Sequence, residues 1–242
     1  MRYLVTFSYD GSKFNGYQKQ PNKNTVQDKL EEALAKIENK KVSIVASGRT
    51  DRGVHAINQK AHFDLDVDIT PKKLKMALNS LIPKEIYVKK VSVVDSDFHA
   101  RFNVISKEYI YKINLGEYNP IEKDYIYQYN MPLDIKSMKK AIKKFIGVHN
   151  FKSFTAADDI KENYERQIFK ASIDLKNDIL SIKFIGTGFM RYMVRNIVGT
   201  LIAVGEHKIE ISDIDMIFDS QDRKKACKTA PSEGLYLNNV KY

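Results

Sequence analysis

Apolar and polar residues alternate along the first nine positions, with the two-residue period of a half-buried β-strand. We predict this strand from Arg2 to Tyr9 and a loop rich in Gly and Asn from Asp10 to Asn24. A helix is predicted to begin at Thr25, because Thr25 and Asp28 have the spacing of a capping box. Its buried stripe, at helical spacing, consists of Val26, Leu30, Ala33, Leu34 and Ile37.

The pattern then predicts three strands and a second helix in the first hundred residues. The strands run from Val42 to Ser47, from Gln59 to Leu65 and from Ile86 to Val94. Thr70 and Pro71 are typical of a helix start. The apolar face of this helix consists of Leu74, Leu78 and Leu81. The resulting order, β-α-β-β-α-β, is that of a ferredoxin-like (split βαβ) unit.

The second half of the chain repeats this order. A strand is predicted from Val104 to Leu115, and a later hairpin turns at Asn177 and Asp178. The remaining elements are a helix beginning near Asp134, a helix from about Met190 to Val204, a short helix capped by Ser212, and a strand from Leu235 to Val240. We therefore predict an α+β protein of two tandem ferredoxin-like units with antiparallel or mixed sheets, residues 1–100 and 101–242. Periodicity alone does not exclude a fold with a single domain.

The charge balance favours a polyanionic partner. Lys and Arg number 40 and Asp and Glu number 30, which gives a net charge of +10. The 14 Tyr and 12 Phe supply rings for base stacking as well as for the core. Pairs of neighbouring lysines, however, are more typical of solvated helix faces than of contacts with a partner. Candidate phosphate contacts are Lys13, Lys19, Lys23 and Arg101.

Cysteine content and hydropathy limit the location of the protein. Cys227 is the only cysteine, so an intramolecular disulfide and a thiolate zinc site are both excluded. The first nine residues lack the continuous apolar stretch of a signal peptide. No segment approaches the roughly 20 apolar residues that a membrane span needs. We expect a cytoplasmic protein that does not contact a membrane.

The segment Ser47 to Ala56, S-G-R-T-D-R-G-V-H-A, carries the most informative chemistry. It places one carboxylate, Asp51, on a glycine-bounded turn between two arginines. A carboxyl group ordinarily titrates near about 3.9, and flanking guanidinium groups favour its charged form. Asp51 is therefore a candidate nucleophile or base. An ion-paired surface loop is the alternative.

A second candidate is an arginine on an apolar helix. The predicted helix from about Met190 to Val204 is apolar over most of its surface, yet it carries Arg191 and Arg195 one turn apart. A buried guanidinium needs a partner, because an unpaired interior charge is costly. Asp51 is the functional candidate for that partner. The alternative is a solvent-facing Arg191 and an Arg195 paired with a structural carboxylate.

Six ordered motifs resemble the tRNA pseudouridine synthase A family over nearly the whole chain. Besides the Asp51 segment they are F-S-Y-D-G at Phe7, F-N-G-Y-Q at Phe14, F-H-A-R-F at Phe98, M-V-R-N-I-V-G-T-L at Met193 and E-G-L-Y-L at Glu233. The resemblance implies a pseudouridine synthase fold and a homodimer without cofactor. It also implies the isomerisation of uridine to pseudouridine at positions 38, 39 and 40 of the tRNA anticodon stem-loop.

The resemblance also assigns roles to single residues. Asp51 matches the catalytic aspartate, and Arg49 matches an arginine that positions the flipped nucleotide. Tyr109 matches the ring that stacks on the target uracil, with Tyr111 as the alternative because both point to the same sheet face. Arg195 matches the arginine that pairs with the catalytic carboxylate. Arg52 and Arg191 match no catalytic position.

No cofactor or metal is expected. The chain contains neither a phosphate-binding G-x-x-x-x-G-K-S/T loop nor a dinucleotide fingerprint. His55, His62 and His99 lack the spacing of a metal site and are expected to be hydrogen-bonded structural residues. Two rival functions remain, a non-catalytic RNA-binding protein and an aspartate-based hydrolase that releases uracil.

Overall fold

The computed structural model describes residues 1–21 and 24–242, which form two compact units. Unit 1 comprises residues 1–105 and 236–242, and unit 2 comprises residues 106–235. Lys23, one of the predicted phosphate contacts, lies outside the described residues. The last strand belongs to unit 1 by its contacts, although the sequence suggested residues 101–242 as the second domain.

The helices and strands follow in chain order. The first part contains β1 (Arg2–Tyr9), α1 (Val26–Glu38), β2 (Val45–Ala46), β3 (His55–Asp64), α2 (Pro71–Leu81) and β4 (Ile86–Val93). The second part contains β5 (Ser106–Asn114), β6 (Tyr127–Gln128), α3 (Ile135–Ala141), β7 (Gly147–Asn150), β8 (Glu165–Lys176), β9 (Ile179–Gly186), α4 (Met193–Gly205), α5 (Asp213–Ser220) and β10 (Leu235–Lys241).

In unit 1, β1 is the central strand and pairs antiparallel with both β3 and β4. The other edge of β3 is shared by two short partners. β2 pairs antiparallel with its last half, where Val45 lies opposite His62, and β10 pairs parallel with its first half, where Tyr236 lies opposite His55. The residues of β1 point alternately into the core, as the sequence predicted.

The predicted strand from Val42 to Ser47 is only two residues long in the structure. One reason is that Ile44 donates its backbone N–H to the Glu31 carboxylate on α1, at 3.3 Å, instead of to a neighbouring strand.

The predicted helix starts of unit 1 are confirmed. Thr25 and Asp28 form a reciprocal capping box, and Thr70 accepts a hydrogen bond from the backbone of Lys73 at the start of α2. The prediction that Leu81 is buried is wrong, since this last residue of α2 is 40% exposed. Ile37, in the last turn of α1, is only partly buried. In both helices, the apolar residues predicted to be buried are thus less buried in the last turn than in the middle of the helix.

In unit 2, β5, β9, β8 and β7 pair antiparallel in that order, and β6 adds a short parallel pair to β5. The predicted hairpin turn is confirmed, because Asn177 and Asp178 have φ angles of 49° and 61°, as a two-residue hairpin loop requires. With the parallel β10–β3 pair of unit 1, these ladders make the protein an α+β structure with mixed pairing, in agreement with the predicted class.

Two predictions about helix starts in unit 2 are wrong. The fourth helix begins at Met193 rather than near Met190, because Tyr192 has a left-handed φ of 63° that no helical turn accommodates. Ser212 precedes α5, but its side chain makes no capping bond because its backbone is already helical. Across residues 1–21 and 24–242, no helix is long and apolar enough to cross a membrane.

Candidate active site

The Asp51 loop connects β2 to β3 and is tied to β3 at its beginning. The Ser47 hydroxyl donates to the Gln59 side-chain oxygen at 2.7 Å, and the Gln59 amide donates to the Gly48 carbonyl at 3.0 Å. Ser47 and Gln59 are fully buried. The turn itself closes with a hydrogen bond from the Val54 N–H to the Asp51 carbonyl at 3.1 Å. The carboxylate is therefore carried by a turn with a fixed backbone.

Thr50, the residue before Asp51, is held from two sides. The hydroxyls of Tyr9 and Thr50 share a buried hydrogen bond of 2.7 Å, and the Tyr17 N–H donates to the Thr50 carbonyl at 3.1 Å. Burial, with a smaller contribution from the Asp51 carboxylate, raises the pKa of Tyr9 to about 12. The Tyr9 hydroxyl therefore stays protonated and lies within the electrostatic reach of Asp51.

Two glycines of the first two motifs allow the preceding loop to pack against the Asp51 turn. A Cβ atom on Gly11 would lie 2.0 Å from the Val54 carbonyl oxygen. Gly16 has a φ of +89°, and a Cβ there would lie 3.1 Å from the Thr50 carbonyl oxygen. Any larger residue at position 11 would displace the turn, which explains a glycine at this place.

The three histidines are hydrogen-bonded, as predicted. The Nδ1 atom of His55 accepts from the Gly11 N–H at 3.1 Å, that of His62 from Ala100 at 3.1 Å, and that of His99 from Arg101 at 3.2 Å. His55 follows the Asp51 turn and stacks on Tyr236, with ring centroids 4.7 Å apart. In the described part of the chain, no group of three or more His, Cys, Asp or Glu residues is arranged to hold a metal ion.

Arg49 lies on the same loop as Asp51 and is exposed, whereas Asp51 is partly buried. A partly exposed carboxylate on a fixed turn can attack an electrophilic carbon or accept a proton. Among the predicted phosphate contacts, Lys13 is exposed, and Lys19 forms an ion pair with Glu31 at 3.1 Å.

Tyr109 and Tyr111 lie on β5 in unit 2 and have different surroundings. Tyr109 is 7% exposed, lies opposite Phe184 on β9 and meets the Phe189 ring edge to face at 5.1 Å. Tyr111 is fully buried, and its hydroxyl donates to the Pro231 carbonyl at 2.7 Å. A Cβ on Gly234 would lie 2.8 Å from the Tyr111 ring, so the E-G-L-Y-L motif packs closely on this tyrosine.

Arg195 lies in the first turn of α4 and is oriented by two neighbours. Its Nε donates to the Ala230 carbonyl at 2.7 Å, and its guanidinium carbon lies 5.0 Å from the Tyr192 ring centroid. Tyr192 holds a left-handed backbone, which is a rare and costly conformation for a bulky residue. Arg191 precedes α4, faces solvent and pairs with Asp158, in agreement with the alternative stated for it.

Two residues near the candidate site, Tyr9 and Tyr192, were not predicted from the sequence. Tyr9 could have been found from the alternation of β1, which points it into the core at the end nearest the Asp51 segment. Tyr192 stands three residues before Arg195, but no pattern in the sequence indicates its backbone conformation.

Comparison with known proteins decides the family. A family model described as tRNA pseudouridine synthase matches residues 5–103 and 141–242. The chain belongs to the tRNA pseudouridine synthase family. This is a family of isomerases, and the resemblance inferred from the six motifs is thereby confirmed.

Relatives of similar length match the whole chain. Proteins named tRNA pseudouridine synthase A from Geobacillus sp. (strain WCH70) and Bacillus subtilis (strain 168) are 43% and 42% identical, and each alignment covers 100% of this chain and 98% or 99% of the relative. The protein of that name from Limosilactobacillus reuteri (strain DSM 20016) is 39% identical, with 100% and 96% covered.

Proposed function

We propose that the protein isomerises uridine to pseudouridine at positions 38, 39 and 40 of the tRNA anticodon stem-loop, with Asp51 as the nucleophile. The observation that carries this proposal is a partly exposed carboxylate on a fixed turn, in a chain that belongs to the tRNA pseudouridine synthase family along both units. The strand order of unit 1 also supports the tandem ferredoxin-like architecture that we propose for the family fold.

The proposed reaction conserves all atoms of the substrate. The bond between the ribose carbon C1′ and the base nitrogen N1 breaks, and a bond between C1′ and C5 of the same base forms. The proton of C5 is lost and N1 gains one, so no oxidant, reductant or external atom is required. The carboxylate of Asp51 gives the reaction a nucleophile while the base is detached.

The target base has to leave the helix before it reaches Asp51, at a free-energy cost of a few kcal/mol. We assign Tyr109 to stack on the flipped uracil, which offsets roughly 1 to 3 kcal/mol. Arg49 positions the flipped nucleotide, and Arg195 pairs with the Asp51 carboxylate. The basic surface contacts phosphates, so binding of tRNA falls steeply with salt. We further propose a homodimer that acts in the cytoplasm without cofactor.

The two tyrosines of β5 allow a test by single substitutions. Tyr111→Phe loses the bond to Pro231, and we expect its free energy of unfolding to fall by about 1 kcal/mol with little change in turnover. Tyr109→Ala removes the stacking ring and should lower turnover at least tenfold. Tyr109→Phe retains the ring and should retain turnover. Thermal melting and pseudouridine formation measure the two effects. Greater loss of turnover in Tyr111→Phe than in Tyr109→Ala would contradict the assignment of Tyr109.

Tyr9 is expected to position the Asp51 turn through Thr50. Tyr9→Phe keeps the buried ring but removes its bond to the Thr50 hydroxyl, which costs about 1 kcal/mol of folding stability. We expect kcat to fall several-fold with KM for tRNA unchanged, because the turn no longer holds its geometry. Tyr3→Phe, which removes a tyrosine hydroxyl that donates to the Ile69 carbonyl, is the matched control. Equal kcat values for both variants would argue against the role of Tyr9.

The experiment that tests the proposed function incubates the purified protein with an unmodified tRNA transcript. Pseudouridine is then mapped chemically, and free uracil is measured by mass spectrometry. We expect pseudouridine only in the anticodon arm and no free uracil. Release of uracil would instead indicate a hydrolase, and binding without either product would indicate an RNA-binding protein.

A further inference from the structure

The F-H-A-R-F motif forms a turn in unit 1, and its last residue, Phe102, exposes an aromatic ring. Phe102 is 75% exposed, yet one face of its ring stacks on His99, with centroids 4.2 Å apart and planes at 24°. The His99 imidazole is fixed in turn, because its Nδ1 accepts the backbone N–H groups of Arg101 and Phe102 at 3.2 and 3.3 Å. An exposed ring is therefore held in place rather than left to move.

The turn is also anchored to the sheet. The Ala100 N–H donates to His62 on β3, and the Ala100 carbonyl accepts from the Tyr242 hydroxyl at 2.7 Å. His62 lies seven residues along β3 from His55, at the opposite end from the Asp51 turn, which corresponds to about 23 Å of extended strand. This ring therefore belongs to a different place on the molecule from the candidate active site.

The chemistry around Phe102 suits a nucleobase. The guanidinium carbon of Arg101 lies 5.8 Å from the Phe102 ring centroid, and Arg101 is exposed. A flat, supported ring beside an arginine offers stacking to a base and a positive charge to its phosphate. The net charge of +10 favours the same polyanionic partner.

We infer that Phe102, supported by His99 and flanked by Arg101, is a second RNA-binding site that stacks an unpaired base of the tRNA outside the catalytic pocket. This inference rests on the proposed function, because it takes tRNA as the partner. The site strengthens substrate binding and takes no part in the isomerisation. When a base stacks on Phe102, the phosphate of the same nucleotide lies close enough for Arg101 to contact it.

The test measures the affinity of the full-length protein for an anticodon stem-loop transcript, with loop positions made abasic one at a time. We expect Phe102→Ala and Phe102→Leu to bind about tenfold more weakly, and Phe102→Trp to bind like the wild type, because only an aromatic ring stacks. At one loop position, removing the base should weaken the wild type by a similar factor and leave Phe102→Ala unaffected. Turnover at saturating RNA should be unchanged in all three variants.

Tyr87→Ala is the matched control, because Tyr87 is also exposed in unit 1 and has Lys75 at 5.7 Å from its ring centroid, but no ring contact supporting it is found among the described residues. Unchanged affinity in Phe102→Ala would overturn the inference, as would an equal loss in Tyr87→Ala or wild-type affinity in Phe102→Leu. A change in oligomeric state of Phe102→Ala in sedimentation would assign the ring to contact with a second copy and overturn it too. Stacking without pseudouridine formation by the wild type would count against the proposed function alone.

Discussion

Asp51→Asn is expected to abolish pseudouridine formation, with a loss of at least about a thousand-fold in turnover, and to leave tRNA affinity unchanged. The substitution replaces one carboxylate oxygen with an amide nitrogen of similar size, so it removes the proposed nucleophile without emptying space in the turn. The backbone bonds that hold the turn, through Thr50 and Val54, do not involve the Asp51 side chain. Turnover is measured by mapping pseudouridine in a tRNA transcript, and affinity by filter binding.

Asp66→Asn is the matched control for this substitution. Asp66 is an exposed residue of unit 1 that pairs with Lys40, and it lies after β3, away from the turn. We expect its turnover to equal that of the wild type. Retained turnover in Asp51→Asn would refute the proposed nucleophile, whereas equal losses in the two variants would indicate a general sensitivity to charge.

Arg195→Met should lower turnover by about a hundred-fold, because it removes the positive charge proposed to orient and stabilise the Asp51 carboxylate. The variant also loses the hydrogen bond from Nε to the Ala230 carbonyl, at a cost of about 1 kcal/mol in the free energy of unfolding. Turnover and thermal melting therefore report the two roles separately. Arg195→Lys keeps the charge without the planar guanidinium and is expected to lie between the wild type and Arg195→Met.

Arg191→Met is the control, because Arg191 is a neighbouring arginine that pairs with Asp158 at the surface. It should turn over substrate like the wild type. The double variant Asp51→Asn with Arg195→Met should be no slower than Asp51→Asn alone if Arg195 acts through that carboxylate. A further loss of turnover in the double variant, or an Arg195→Met variant as fast as Arg191→Met, would show that the proposed pair does not exist.

The helix caps of unit 1 and the hairpin turn of unit 2 were predicted well, because each depends on residues within one short segment. The capping box at Thr25 and the two-residue turn at Asn177 satisfy backbone groups of their own segment, so the sequence indicates them without knowledge of the rest of the chain. The length of β2 and the pairing of β10 could not be predicted in this way. The N–H of Ile44, just before β2, bonds to Glu31 on α1 instead of to a strand, and β10 pairs with β3, which is remote from it in sequence.

The features of the candidate site that lie within one segment could be predicted from the sequence, whereas contacts between segments could not. The Asp51 motif indicated a glycine-bounded turn, and the structure has Gly53 there with a φ of +79°. The bonds from Tyr9 and Tyr17 to Thr50 join the motif to other segments, and no spacing within the motif reveals them. The left-handed backbone of Tyr192 could not be predicted either, because bulky residues rarely adopt this conformation.

The parallel pairing of β10 with β3 has a consequence for biosynthesis. Residues 236–242 complete the edge of unit 1, and His55, next to the Asp51 turn, stacks on Tyr236. During translation the first hundred residues emerge well before this strand, with all of unit 2 made in between. The chain must therefore be synthesised through β10 before the surroundings of Asp51 are complete, so the candidate site forms late and the first half of β3 keeps an unpaired edge until then.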